Sequence, residues 1–177
     1  MKQERAYPRF TVTRKAQLSC EAGHPWIYDT EVLSADEHEN GGIADVFSTR
    51  GRYVGTGLVS DRSKIRLLTR NASDTLDEAF WERRIRYAWN YRRTVMGADV
   101  NACRVIFGEA DQFPGLTVDR FENVLVTQTL SLGMDRLKPL LFPLLLKVLR
   151  EDGQTVDGIF ERNDVGIRTL EGMEEGK

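Results

Sequence analysis

The sequence predicts a mixed α+β protein: a small β-barrel followed by an α+β region ordered strand, strand, helix, strand. Three observations carry this expectation. Residues 9–70 hold five short β-branched and aromatic runs divided by turn signals, with no long helical pattern. The next twenty or so residues carry apolar side chains at helical spacing. Beyond them the chain returns to strand patterns interrupted by one leucine-rich stretch.

In order, RFTVT, IYDTEV, IADVFST, YVGTGLVS and KIRLLTR read as the barrel strands, and AGHP, ENGG and TRGR punctuate them. A boundary falls at residues 71–76, dividing the chain into domains 1–72 and 73–177. Thr75-x-x-Glu78 or Asp74-x-x-Asp77 can cap the following helix, expected over about 76–96 and ended by Gly97. Trp81, Ile85, Ala88, Trp89 and Met96 share its apolar face. Acids in its first turn and Arg92-Arg93 in its last suit the helix dipole. Hairpin strands are expected within about 103–131, from CRVIF, LTVDRF and VLVTQTLS. A helix over about 135–151 places Pro139 in its first turn and should kink or break at Pro143. A strand over about 156–162 follows.

With 177 residues, 41% hydrophobic and 29% charged, the chain can bury a core, which excludes wholesale disorder. The longest apolar run, 140–149, is interrupted by Pro143 and Lys147 and is too short for a bilayer, so no membrane partner is expected. MKQERAYPRF lacks the apolar region of a signal peptide, and the expected compartment is cytoplasmic. Cys20 and Cys103 have no CxxC partner and lie far from His24 and His38, so neither a disulfide framework nor a metal site is expected. The net charge of −2 argues against a generic nucleic-acid binder, but its distribution is uneven. Residues 1–70 carry 11 Lys/Arg against 9 Asp/Glu, and residues 101–177 carry 9 against 13. A polyanion should meet the first half.

Five motifs are weighed as functional sites. In GEADQFPGLTVDRF, Glu109, Asp111 and Asp119 could serve a small hydrolase, but no partner supplies separated pKa values, and Pro114-Gly115 reads as a hairpin turn. Gly55-Thr56-Gly57 precedes a strand rather than a helix, so no nucleotide loop is expected. Arg62, Lys64 and Arg66 alternate on one strand face and can contact phosphates, although a solvated strand face has the same pattern. RRIRYAWNYRR, residues 83–93, mixes five arginines with three aromatics, which suits RNA by charge and stacking and equally suits a solvated helix. His24 and Trp26 in GHPW read as a tight entry into a strand.

RKAQLSCEAGHPWIYDTEV resembles the start of the PUA domain in the cytosine 5-methyltransferases of large-subunit ribosomal RNA, and SKIRLLTR resembles its last strand. FWERRIRYAWNYRR, FGEADQFPGLTVDRF and GIFERNDVGIRTLEGM resemble, in the same order, the central domain of those enzymes. The resemblance implies a PUA-like RNA-binding β-barrel over 1–72 and a central α+β domain over 73–177. It also implies a C-terminal methyltransferase domain that is absent from this sequence and would hold S-adenosylmethionine and the catalytic cysteine. No catalytic or cofactor-binding residue is therefore assigned within the chain, and the partner implied is ribosomal RNA. The candidate RNA-binding residues are Lys15, His24, Trp26, Arg62, Lys64 and Arg66, with Arg83 and Arg86. The alternative expectation is a stand-alone PUA-type RNA-binding or ribosome-assembly adaptor.

Overall fold

The computed structural model describes residues 7–177, which form two compact units divided in sequence between Asp74 and Thr75. The mixed α+β class is the one the sequence predicts. In the first unit, β1 (Arg9–Val12) leads directly into α1 (Arg14–Glu21), followed by β2 (Trp26–Ile27), a 3-10 turn (Asp29–Glu31), β3 (Val32–Ala35), β4 (Ile43–Ser48), β5 (Tyr53–Ser60) and β6 (Lys64–Thr69). The strands make one curled half-barrel in the order β2-β6-β5-β4-β1-β3, with β1 parallel to β4 and the other pairs antiparallel. The expected barrel thus has two edges, β2 and β3. IYDTEV is not one strand, because the 3-10 turn divides it.

Helix α1 has no counterpart among the expected elements. Its only buried residues, Ala16 and Cys20, are small, so its helical period is faint in sequence. Thr13 caps it, its Oγ1 accepting the Ala16 N–H at 3.2 Å. The helix covers a core that includes Phe10, Val12, Ile27, Val46, Val59 and Ile65.

The close approach of β6 to β5 depends on two glycines of β5. A Cβ at Gly57 would stand 2.6 Å from the Arg66 carbonyl oxygen and 2.8 Å from Ile65 Cγ2; one at Gly55 would stand 2.8 Å from the Thr69 carbonyl oxygen. The GxG segment therefore serves close strand approach, as its strand context indicates.

In the second unit, α2 (Glu78–Met96) precedes β7 (Ala102–Phe107), β8 (Leu116–Phe121), β9 (Val124–Thr129), α3 (Leu132–Glu151), β10 (Gly158–Glu161) and the short α4 (Ile167–Leu170). The sheet order is β10-β9-β8-β7; β10 runs parallel to β9 across the α3 crossover, and the other pairs are antiparallel. Asp77 caps α2 by accepting the Phe80 N–H at 2.9 Å, whereas Asp74 accepts Thr69 Oγ1 at 2.6 Å and Asn71 Nδ2 at 3.1 Å. Phe80, Trp81, Arg84, Ile85, Ala88 and Trp89 form its buried side.

Helix α3 begins three residues before the expected start and continues through both prolines. Pro139 and Pro143 are four apart and both exposed, so neither ring is packed into the core and the helix runs on without the amide donors they lack. The C-terminal segment is tied down by Arg168, buried and hydrogen-bonded through Nη1 to the Thr129 carbonyl at 2.6 Å, Thr129 Oγ1 at 2.9 Å and Asp135 at 2.9 Å. Its Nε donates to the Glu174 carbonyl at 2.7 Å.

Two stability tests arise here. Gly57→Ala is expected to destabilise the first unit by about 1–3 kcal/mol, read as a lowered urea midpoint, because neither Arg66 backbone nor Ile65 can yield without moving β6. Burial raises the Asp135 pKa, but hydrogen bonds from Thr129, Lys138 and Arg168 outweigh it, leaving the carboxyl below its ordinary 3.8. A depressed folded pKa contributes stability that is complete above the unfolded value and lost as pH falls through the folded one. Asp135→Asn should accordingly flatten the loss of stability below about pH 4 in denaturant titrations, while lowering stability at neutral pH.

Candidate nucleic-acid interface

Strand β2 is an edge of the half-barrel, and its register sets Trp26 opposite Arg66 of β6. The Arg66 guanidinium lies over the indole, 4.6 Å from the ring centre, and is held there by burial, with the residue only 6% exposed. Two further rings join Trp26. Tyr28, half exposed, has its ring centre 6.3 Å from that of Trp26 and 6.1 Å from that of His24. His24 is fixed by one local and one distant bond: the Trp26 N–H donates to its Nδ1 at 3.2 Å, and Arg70 Nη2 donates to its carbonyl at 3.1 Å. His24, Trp26 and Tyr28 thus form one aromatic cluster next to Arg66 and Arg70.

The remaining cations nearby are tethered by acids. Lys64 Nζ lies 3.2 Å from Asp29 Oδ1. Lys15, highly exposed on α1, lies 3.7 Å from Glu31, whose carboxylate also accepts the Tyr28 N–H at 3.1 Å. Each pair joins an exposed partner, Lys15 or Asp29, to a largely buried one, Glu31 or Lys64.

The expected row of Arg62, Lys64 and Arg66 on one face is not formed. The strand starts only at Lys64, which has a left-handed φ of 74°. Arg62 lies exposed in the preceding turn, where Ser60 Oγ accepts the N–H of Arg62 at 3.1 Å and of Ser63 at 3.2 Å. Arg66 is drawn under Trp26 instead of facing water.

Arg83 and Arg86 stand on α2 in the second unit. Arg86 pairs with Glu151 and, at 2.6 Å, with Glu82; these hydrogen bonds push its pKa up and engage the side chain within the fold. Arg83 is exposed, its guanidinium 5.7 Å from the centre of the Phe80 ring.

The acidic motif is a turn. Residues Gly108–Asp111 form a 3-10 turn between β7 and β8, and Gly115 has a φ of +86°. Asp111 pairs with Arg92 and accepts the Phe107 N–H at 2.7 Å; Asp119 pairs with Arg104 at 2.8 and 3.0 Å. Carboxylates neutralised this way hold backbone in place and do not converge as an acid/base pair. Ser131 Oγ donates to the Pro114 carbonyl at 2.9 Å, packing the turn against the start of α3.

Both thiols are buried. Burial pushes Cys20 up to about 11 and raises Cys103 as well, so neither is a thiolate at neutral pH. Among the described residues, no group of three or more His, Cys, Asp or Glu is placed to hold a metal, and no helix is long and apolar enough to cross a membrane.

Sequence reasoning left Tyr28 and Arg70 out of the site. Tyr28 was hidden by reading IYDTEV as one strand. The Arg70 contact joins residues 46 apart, which no local pattern reveals.

Residues 10–70 match the model of a PUA-like domain. Along its length the chain is similar to the ribosomal RNA large subunit methyltransferase I of Salmonella enteritidis PT4, with 33% identity over 174 residues, covering 94% of this chain and 41% of that protein. The enzyme of the same name from Klebsiella pneumoniae is 30% identical over 172 residues, covering 95% of this chain and 42% of the relative. The chain therefore spans about two fifths of the length of these relatives. Among solved structures, a putative SAM-dependent methyltransferase from Streptococcus mutans superposes with a TM-score of 0.71 at 13% identity, covering 87% of this chain and 40% of that one. A putative methyltransferase complexed with SAH superposes with a TM-score of 0.71 at 12% identity, which at this distance speaks for the fold.

Proposed function

We propose that these 177 residues are the RNA-holding, non-catalytic portion of an S-adenosylmethionine-dependent ribosomal RNA methyltransferase acting on carbon 5 of cytosine. The observation that carries the RNA-holding role is the cluster of His24, Trp26 and Tyr28 beside Arg66 and Arg70, within the segment that matches a PUA-like domain. Rings give sequence-tolerant stacking on unpaired bases, and the adjoining cations neutralise phosphates. The methyltransferase assignment is supported by the similarity to ribosomal RNA methyltransferases.

Carbon-5 methylation needs a thiolate to add at carbon 6, a methyl donor and a base to take the carbon-5 proton. Cys20 and Cys103 are buried protonated thiols, and GxG is a strand, so the nucleophile and the donor site belong outside these residues in this reading. The candidate roles divide accordingly. Trp26 and Tyr28 stack bases, Arg66 stiffens Trp26 from beneath, and Lys15, Lys64 and Arg62 meet phosphates; Arg83 adds a further cation on α2.

The test is fluorescence anisotropy with labelled ribosomal RNA fragments across a salt series. Affinity should fall linearly in log–log form, by about 0.7 per phosphate contacted on single strands. Trp26→Ala should cost about 1–3 kcal/mol of binding, and Lys64→Ala should make the salt slope shallower. Salt-insensitive binding, or folded Trp26 and Tyr28 variants that bind like the parent, would overturn the interface. Methyl transfer to RNA by the isolated chain would overturn its non-catalytic role.

A further inference from the structure

We infer that the outward face of α2 is a second contact for single-stranded RNA, with one unstacked base seated in a recess beside Tyr87. The inference rests on the reading that the chain binds RNA, and it concerns residues outside the β2–β6 cluster. Tyr87, Tyr91 and Val95 follow one another at intervals of four on α2 and are 66%, 58% and 52% exposed. Such spacing places them one turn apart along one stripe, about 6 Å between neighbours. Arg83 stands one turn before Tyr87, exposed and without an ion-pair partner among the described residues. The Arg92 guanidinium lies 4.9 Å from the Tyr91 ring centre. No acid occurs between residues 83 and 98.

Beside Tyr87 lies an open recess of about 170 Å³, lined by Arg84, Tyr87, Ala88, Ala110, Asp111 and Gln112. It is smaller than the roughly 300 Å³ at which pockets for drug-sized ligands begin, and so suits a single planar ring. Ala88 and Ala110 add only methyl groups to its wall. Arg84 and Asp111 are held in place, Arg84 by donating to the Gln112 carbonyl at 2.8 Å and Asp111 by pairing with Arg92. Gln112 has a left-handed φ of 63°, is exposed, and has no side-chain hydrogen bond among the described residues. A carboxamide offers a donor and an acceptor together, as the edge of a base requires.

Charge and ring chemistry favour RNA over a protein here. A protein interface of ordinary size covers about 800 Å² per partner around an apolar centre. This stripe is narrow, cationic at one end and built on tyrosines, each of which offers a π-face to a base.

The test compares a labelled single-stranded RNA of twelve nucleotides with its duplex, using the parent chain and the Tyr87→Ala, Tyr91→Ala and Gln112→Ala variants. All three positions are exposed or lie at the recess rim, and unchanged urea midpoints will establish that the fold is intact. Each tyrosine variant should weaken single-strand binding by about tenfold and duplex binding far less. The same loss should appear when Trp26→Ala is already present. If the parent and Trp26→Ala differ but Tyr87→Ala and Tyr91→Ala match the parent, this inference falls while the β2–β6 interface stands. If the parent binds no RNA, both fall. Self-association that Tyr87→Ala abolishes, without effect on RNA, would make the stripe a chain-to-chain contact and overturn the inference.

Discussion

The close approach of β5 to β6 is the constraint from which the first unit's geometry follows. Gly55 and Gly57 let the β6 backbone come nearer than any side chain allows. On its other side β6 pairs with β2, a strand of only two residues. Trp26 then meets Arg66, and the pair gives β2 an anchor that its backbone bonds alone would not. The aromatic cluster therefore leans on a strand some forty residues away in sequence.

Charge in the second unit has a different use. An arginine-rich helix suggests a polyanion surface, yet most of its guanidiniums are engaged within the fold. Arg86 reaches Glu151, Arg93 reaches Asp152, Arg92 reaches Asp111, and Arg84 is buried against the Phe80 ring at 4.3 Å. Lys147 meets the same Glu82 that binds Arg86, linking α3 to α2. These pairs align two helices and the β7–β8 turn. Arg83 is the arginine of that helix stretch whose exposure leaves it available to a ligand.

What was legible in the sequence follows from how local the cause is. Strands β4 to β6 announce themselves through β-branched runs and glycine turns, and α2 through large apolar residues at helical spacing. Pro114-Gly115 gives the β7–β8 turn away because proline and a left-handed glycine act within two residues. Helix α1 stayed hidden because only an alanine and a cysteine face its core. The continuity of α3 departs from the local rule for proline, with both prolines at exposed positions of the helix. Trp26, His24 and the basic run were visible as residues. The burial of Arg66 and the displacement of Arg62 into a turn were not, because both depend on where β6 begins.

The two cysteines have a consequence of their own. Each unit holds one thiol, Cys20 on the inner face of α1 and Cys103 at the start of β7, and both are shielded and protonated. A thiol so placed reacts only when its surroundings open. The chain thus carries one internal clock per unit, and the rates at which the two sulfurs become modified report separately how often each half breathes.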